Sequence, residues 1–359
     1  MTCQKFLVLV IYAISMWLIL ACSLVEADEK TANPLPAEVL EGVRTFIQNT
    51  ALPDGSFRPG MDPAYKGYSD TGYSDLAGVT YAVCLARTFG WRLPQEGRTL
   101  ELLLSRQQND GAFVNVGGSA DPKSPQARLY NTTQALVALH ALGAKPKHAP
   151  LPILAAILKE DYKKFPLYTT SFFPLAYQAA GEPFPVEEDR KIRALMIQAG
   201  DGYVRNHIAN TFHLVHYYRL LNENIPHAEA ILKRVLRDQK GDGSWLLNPP
   251  SWDVHAGFDA VFVLRQLGKD QAECRQAIQK AAGWALRCWN QDGGFGHFPG
   301  YTSDMDAVYF HVGTLVMAGF LKPVDPLPRD AHFAGMGPFV RATGKLRSLP
   351  ILERLARIG

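Results

Sequence analysis

"QKGDGSWLLNPPSWDVHAGFDAVFVLRQLG", residues 239–268, holds the pattern on which the fold turns. It runs from a Gly-Asp-Gly turn through Trp245 and a proline pair into an Asp-Val-His that opens an apolar run. An acidic residue ahead of such a run is either a helix cap or part of a site. One copy does not separate the two, but the arrangement recurs. "PDGSF" at 53–57, "NDGAF" at 109–113, "GDGYV" at 200–204 and "QDGGF" at 291–295 carry the same Asp-Gly step. Each follows an apolar segment of helical period, such as "LELLLSRQQ" or "AILKRVLRDQ". Each precedes a loop and a second, more apolar run: "AGVTYAVCLARTFG", "TTQALVALHALG", "FDAVFVLRQLG" and "YFHVGTLVMAG" are examples. Their terminal glycines read as left-handed helix stops.

Between Asp110 and Asp201 the spacing doubles, and "TTSFFPLAYQAAG" supplies a second-type helix without its Asp-Gly partner. Counting it, the chain predicts six helix pairs at a period of roughly 40–55 residues, the signature of a repeat architecture. Six pairs close into an all-α α6/α6 toroid, with the more apolar second helices inside, and an open solenoid is the rival. The toroid is expected over residues 35–321.

Composition narrows the partners. A hydrophobic content of 47% with 20% charged residues allows a large core. A net charge of +3 with no Lys/Arg block argues against nucleic acid. Residues 1–27 hold an apolar run from Phe6 to Ala21 followed by "VEA" and read as a signal peptide cleaved after Ala27. A retained anchor and lipidation at Cys22, in a sequence resembling a bacterial lipobox, are the alternatives. In each case an exported domain is expected, touching a membrane only through this segment. Cys84, Cys274 and Cys288 are read as buried fillers, and residues 322–359, opening on "KPVDPLPRD", as a tail without an active-site motif.

The "QKGDGSW" at 239–245 fits the Q-x-x-x-G-x-W repeat of squalene cyclases, and "QDGGFGHFPG" resembles protein prenyltransferase β subunits. The resemblance covers nearly the whole chain and implies the toroid and, as one outcome, an isoprenoid-handling enzyme with an apolar substrate in a central cavity.

The repeats also place polar residues. Fifteen residues before each helix stop lie Asp75, Arg128, His207, Asp253 and Asp304, and two further on lie Tyr130, His255 and Asp306, with Tyr168 equivalent in the degenerate copy. In a toroid these ring one mouth of the cavity. Helix capping accounts for the aspartates singly, but not for His207, His255 or a second carboxylate at Asp306. The prenyltransferase zinc pattern, Asp-x-Cys and Asp-x-x-His, becomes Asp253-Val-His255 and Asp304-Met-Asp306-Ala307. The resemblance thus implies a metal set of Asp253, His255 and Asp306 for zinc or another divalent ion.

His207 resembles the family histidine that faces a prenyl diphosphate, yet "LLNPPSW" lacks the family's diphosphate-binding Arg and Lys. A cytoplasmic α subunit is not expected. Class II terpene cyclases use D-x-D-D, of which Asp304-Met-Asp306-Ala307 keeps two carboxylates. Asp304, Asp306 and His207 are therefore the candidate catalytic groups. Asp75, Arg128, Tyr130, Tyr168, His213, Tyr217, Phe258 and Tyr309 are the candidate substrate contacts. Two other classes stay open: a non-catalytic binding scaffold, and a carbohydrate-active α6/α6 barrel using a carboxylate pair.

Overall fold

The computed structural model describes residues 34–324 except 249–250, 252–253 and 269–270. Residues 1–33, which include the segment read as a signal peptide, Asp253 and the tail from 325 onward lie outside the described residues. By its internal contacts the chain divides after Glu38, and the fold lies in the larger unit, Val39–Gly359.

Among the described residues the secondary structure is helical, with isolated β-bridges and no strand. The helices are α1 (Pro36–Thr50), α2 (Ser69–Tyr73), α3 (Asp75–Phe89), α4 (Glu96–Ser105), α5 (Pro125–Ala141) and α6 (Leu151–Asp161). There follow α7 (Phe172–Ala180), α8 (Val186–Arg193), α9 (Ile208–Leu220), α10 (Ala228–Asp238), α11 (Val254–Gly268), α12 (Ala272–Arg287) and α13 (Met305–Met317). None is long and apolar enough to cross a membrane.

The second-type runs are α3, α5, α7, α9, α11 and α13, and most of their positions are buried, as for helices enclosed on every side. Each packs on the next, and α13 returns to α3, so the inner helices form a closed ring. The solenoid alternative is excluded by that return. Outer helices α4, α6, α10 and α12 pack on the inner helix that follows each of them.

Capping follows the sequence closely. Ser74 caps α3 by accepting the Leu76 N–H, Ser124 caps α5, and Asp304 caps α13 through the Asp306 N–H at 2.8 Å. At the opposite ends, Gly90 and Gly181 close α3 and α7 in the left-handed conformation. Arginines add a second device there. Arg87 of α3 donates to the Ala141 carbonyl at the end of α5, Arg219 of α9 to Gln266 of α11, and Arg265 of α11 to Met317 of α13. Each places a cation on the negative end of the next inner helix.

The Asp-Gly turns are the joints between repeats. In all five the aspartate accepts the N–H two residues on, at 3.0–3.1 Å. The glycine that follows has φ between 83° and 93°. It also sits against a neighbouring outer segment: Gly55 against Thr99, Gly111 against Ala149, Gly202 against Ile231, Gly243 against Lys280, and Gly293 against Gly42. Gln107, Gln198 and Gln239 each donate to their turn glycine's carbonyl and to a backbone carbonyl of the next outer segment. The Gln and Gly of the repeat therefore act structurally.

Cys84, Cys274 and Cys288 are buried and outside any disulfide, as expected of fillers; burial raises all three, Cys288 to about 12.

Gly243→Ala forces an L-residue into the left-handed region and drives a methyl into the Lys280 carbonyl. It is expected to cost about 2 kcal/mol or more, read as a fall of several degrees in the calorimetric Tm. Gly241→Ala in the same turn meets nothing within 4 Å and is the control, expected within about 0.5 kcal/mol of the parent.

Candidate functional site

The N-terminal ends of the inner helices surround a cavity of about 300 Å³. Its aromatic wall comprises Tyr73, Tyr81, Tyr130, Tyr168, Phe172, Phe212 and Phe310, and four histidines, His207, His213, His216 and His255, break that surface. Asp70 and Asp259 supply its carboxylates, and no Lys or Arg is among the described lining residues. Around Phe212 the rings meet edge to face, with Phe262 at 4.9 Å and Phe258 at 5.9 Å between centroids.

One end of the cavity is polar. Asp306 is fully buried, and its Oδ2 accepts the Asp70 N–H at 3.2 Å. Its Oδ1 lies 3.2 Å from His255 Nε2. Asp70 in turn accepts the Tyr81 hydroxyl, and Tyr81 stacks on Tyr309 at 4.3 Å. Burial raises the Asp306 carboxyl well above the usual range, with His255 opposing the shift and the nearby Asp70 and Asp304 adding to it.

Asp304, two residues earlier, has a different environment. Its oxygens accept from the Tyr65 hydroxyl at 2.8 Å, the Tyr68 N–H at 3.1 Å, the Thr71 hydroxyl at 2.8 Å and the Asp306 N–H. Burial still holds it up at about 6, against the pull of those donors. Asp304 thereby ties the loop that carries α2 to the start of α13.

Two groups of donors have metal-ligand spacing: Asp70, His255 and Asp306, and His297, Asp304 and Asp306, each within 4.8 Å of one another. In the first, Asp70 and His255 line the cavity, and one imidazole with two carboxylates suits zinc or a harder divalent ion. The second is wholly buried, and Asp304 is already occupied by four donors. The first group fits a metal; the second does not without giving up those bonds.

Of the residues singled out by spacing, Tyr130, Tyr168, His207, His213 and His255 line the cavity. Asp306, Tyr309 and Phe258 stand directly behind it: Asp306 on His255, Tyr309 under Tyr81 and Phe258 at 5.0 Å from Phe310. Three are drawn elsewhere. Asp75 pairs with Arg106 at 2.9 Å, and Arg128 pairs with Asp110 of the preceding turn. Tyr217 turns outward to donate to Asp189 of α8 at 2.6 Å. For each, a charged or accepting partner off the cavity decides the direction.

Asp70 escaped the spacing rule. "YSD" occurs twice, at 68–70 and 73–75, and counting back from Gly90 selects the second copy. The tandem repeat is the signal that points to Asp70.

Among curated proteins none matches the chain by sequence. In three dimensions it is similar to Candida albicans protein geranylgeranyltransferase-I complexed with GGPP, at 13% identity over 70% of this chain and 87% of that one, TM-score 0.47. It is similar also to the apo type II terpene cyclase MstE from Scytonema, at 14% identity over 80% and 98%, TM-score 0.48. A third is ent-copalyl diphosphate synthase from Streptomyces platensis, at 13% identity over 78% and 68%, TM-score 0.46. Identities this low say nothing of chemistry. The profile of the prenyltransferase alpha-alpha toroid domain matches residues 9–143 and 181–334. With that match spanning most of a chain whose inner helices close on themselves, the protein belongs to the prenyltransferase alpha-alpha toroid domain family.

Proposed function

We propose that the protein is an exported, isoprenoid-handling enzyme of the prenyltransferase/terpene cyclase type, working on a neutral, mainly apolar substrate at the Asp70–His255–Asp306 cluster. The observation that carries this is the division of the cavity into an aromatic wall and one acidic, histidine-bearing end, without a Lys or Arg in its described lining. Aromatic faces favour isoprenoid chains by burial and stabilise developing positive charge, each by about 0.5–2 kcal/mol. A diphosphate would meet carboxylates, with no Lys or Arg among the described lining residues to receive it, which favours a neutral substrate.

Asp70, His255 and Asp306 would hold a divalent cation, which when bound supplies Lewis acidity at the polar end. The remaining roles belong to the chain itself. Asp304 positions the loop of α2 and with it Asp70, and Asp306 orients the His255 ring. Tyr73, Tyr130 and Tyr168 keep water from the substrate's apolar body.

A second, metal-free reading has one specific observation in its favour. The buried Asp306 carboxyl favours its protonated form and serves as an acid next to the cavity. A carbohydrate site would set aromatic platforms along an exposed groove, whereas these rings wall a cavity. The non-catalytic scaffold accounts for the toroid but leaves the Asp70–His255–Asp306 cluster without a task.

Metal analysis of the purified protein separates these readings. About one equivalent of zinc or another divalent ion is expected, with affinity falling at least tenfold in His255→Ala and Asp70→Asn and unchanged in Asp75→Asn. Absence of metal from the parent and all three variants, with the parent active, favours the acid.

The raised Asp304 carboxyl makes a further expectation for chelator-treated protein. Between about pH 4 and pH 6 the folded state keeps a proton that the unfolded chain has released, so this group's contribution to stability falls as pH rises through that window and levels off above it. The loss is on the order of 2 kcal/mol. Denaturant midpoints at pH 4.5 and 7 for the parent and Asp304→Asn test it: the parent should lose more stability than the variant between the two pH values.

A further inference from the structure

We propose that Ser171 locks His213 and His216 in opposite tautomers, so that the aromatic wall presents a fixed His213 N–H donor that selects a substrate bearing a second oxygen. The proposal rests on reading the cavity as an isoprenoid site and adds to it the recognition of a substrate hydroxyl, ether or carbonyl.

Ser171 is fully buried at the start of α7. Its hydroxyl lies 2.7 Å from His213 Nδ1 and 3.0 Å from His216 Nδ1, and it has no other hydrogen-bond partner among the described residues. A hydroxyl has one proton to give. If both imidazoles donated to it, that proton would be a buried orphan costing about 1–3 kcal/mol. One ring must therefore accept and the other donate.

The two lengths assign the roles. Bonds donated by a hydroxyl are shorter than those donated by a ring N–H. The 2.7 Å contact is Ser171 donating to His213 Nδ1, and the 3.0 Å contact is His216 Nδ1–H donating to Ser171. His213 then carries its proton on Nε2 and His216 carries its proton on Nδ1. His213 Nε2 has no hydrogen-bond partner among the described residues, and the ring lines the cavity. Burial, with the charges of His255 and His207, lowers His213 to about 3, so it works as a neutral donor.

Along α9, His213 lies about 9 Å beyond His207 at 1.5 Å per residue, among Phe172 and Phe212. A single N–H in an otherwise aromatic stretch rejects a plain hydrocarbon segment, because the donor stays unpaired, and rewards one oxygen. The Asp70–His255 end takes the first polar group of the substrate, and His213 takes the second.

The tautomers are read without any ligand, from two-bond proton–nitrogen correlation spectra of the full chain with 15N-labelled histidine, assigned through single His variants. His213 is expected as the Nε2–H form and His216 as the Nδ1–H form, with the pattern lost in Ser171→Ala. Identical tautomers in the two rings, or no change in Ser171→Ala, overturn the lock.

Recognition is read by calorimetry with geraniol and 8-hydroxygeraniol, a ten-carbon isoprenoid alcohol and its diol. The diol is expected to bind about tenfold tighter, one neutral hydrogen bond's worth. That advantage should vanish in Ser171→Ala and His213→Phe, return in part in His213→Gln, and persist in His255→Ala, with circular dichroism confirming that each variant is folded. An advantage that survives His213→Phe overturns the selection. Binding of neither probe to the parent removes the isoprenoid reading and the substrate half of this proposal with it, while the spectra still decide the tautomers.

Discussion

Five left-handed glycines, each pressed so closely against a neighbouring outer segment that a methyl group has no room, carry the architecture. Backbone meets backbone at these joints, and side chains only seal them: the aspartate folds the turn, and the glutamine spans from the glycine carbonyl to the next outer segment. Because every joint has the same geometry, the five inner helices that follow one start at the same end of the ring, and α7, which lacks a joint, is held by its packing on α5 and α9. The cavity and its polar end follow from that shared polarity.

This is why so much of the fold was legible. The Asp-Gly turns and the glycine stops mark joints and helix ends by backbone chemistry that few other residues can perform. Counting between them placed His207 and Asp304 at N-caps and Asp75 at the first turn of α3. The direction each side chain takes was not legible. α9 and α13 are buried on every side, so their apolar pattern contains no record of which face is central. Tyr217 and His213 are one turn apart, yet one turns out to Asp189 and the other into the cavity. Asp75 was diverted by an ion pair with Arg106 of the next repeat and Arg128 by one with Asp110 of its own repeat's turn, and Asp70 comes from a short helix outside the repeat altogether.

Asp304 and Asp306 illustrate how one helix start divides its labour. Both carboxyls are buried, yet Asp304 spends its lone pairs on holding a loop and Asp306 on holding an imidazole and a backbone N–H. The first makes the second useful, since the loop that Asp304 secures delivers Asp70 to His255. Structural and chemical tasks sit two residues apart and differ only in which donors arrive. Ser171 repeats the principle deeper in the cavity, where one hydroxyl sets the proton positions of two rings.

The contact of Gly293 with Gly42 joins the last repeat to the first. It matches the other four joints in geometry, but its partners are about 250 residues apart, and closing so long a loop costs about 1.5 kcal/mol more than closing one of about 45. Assembly is therefore expected to run through a horseshoe of stacked hairpins with two bare apolar flanks, sealed in a final cooperative snap. At high protein concentration those flanks offer an intermolecular shortcut, two open horseshoes exchanging ends to build a helix-swapped ring of twice the size.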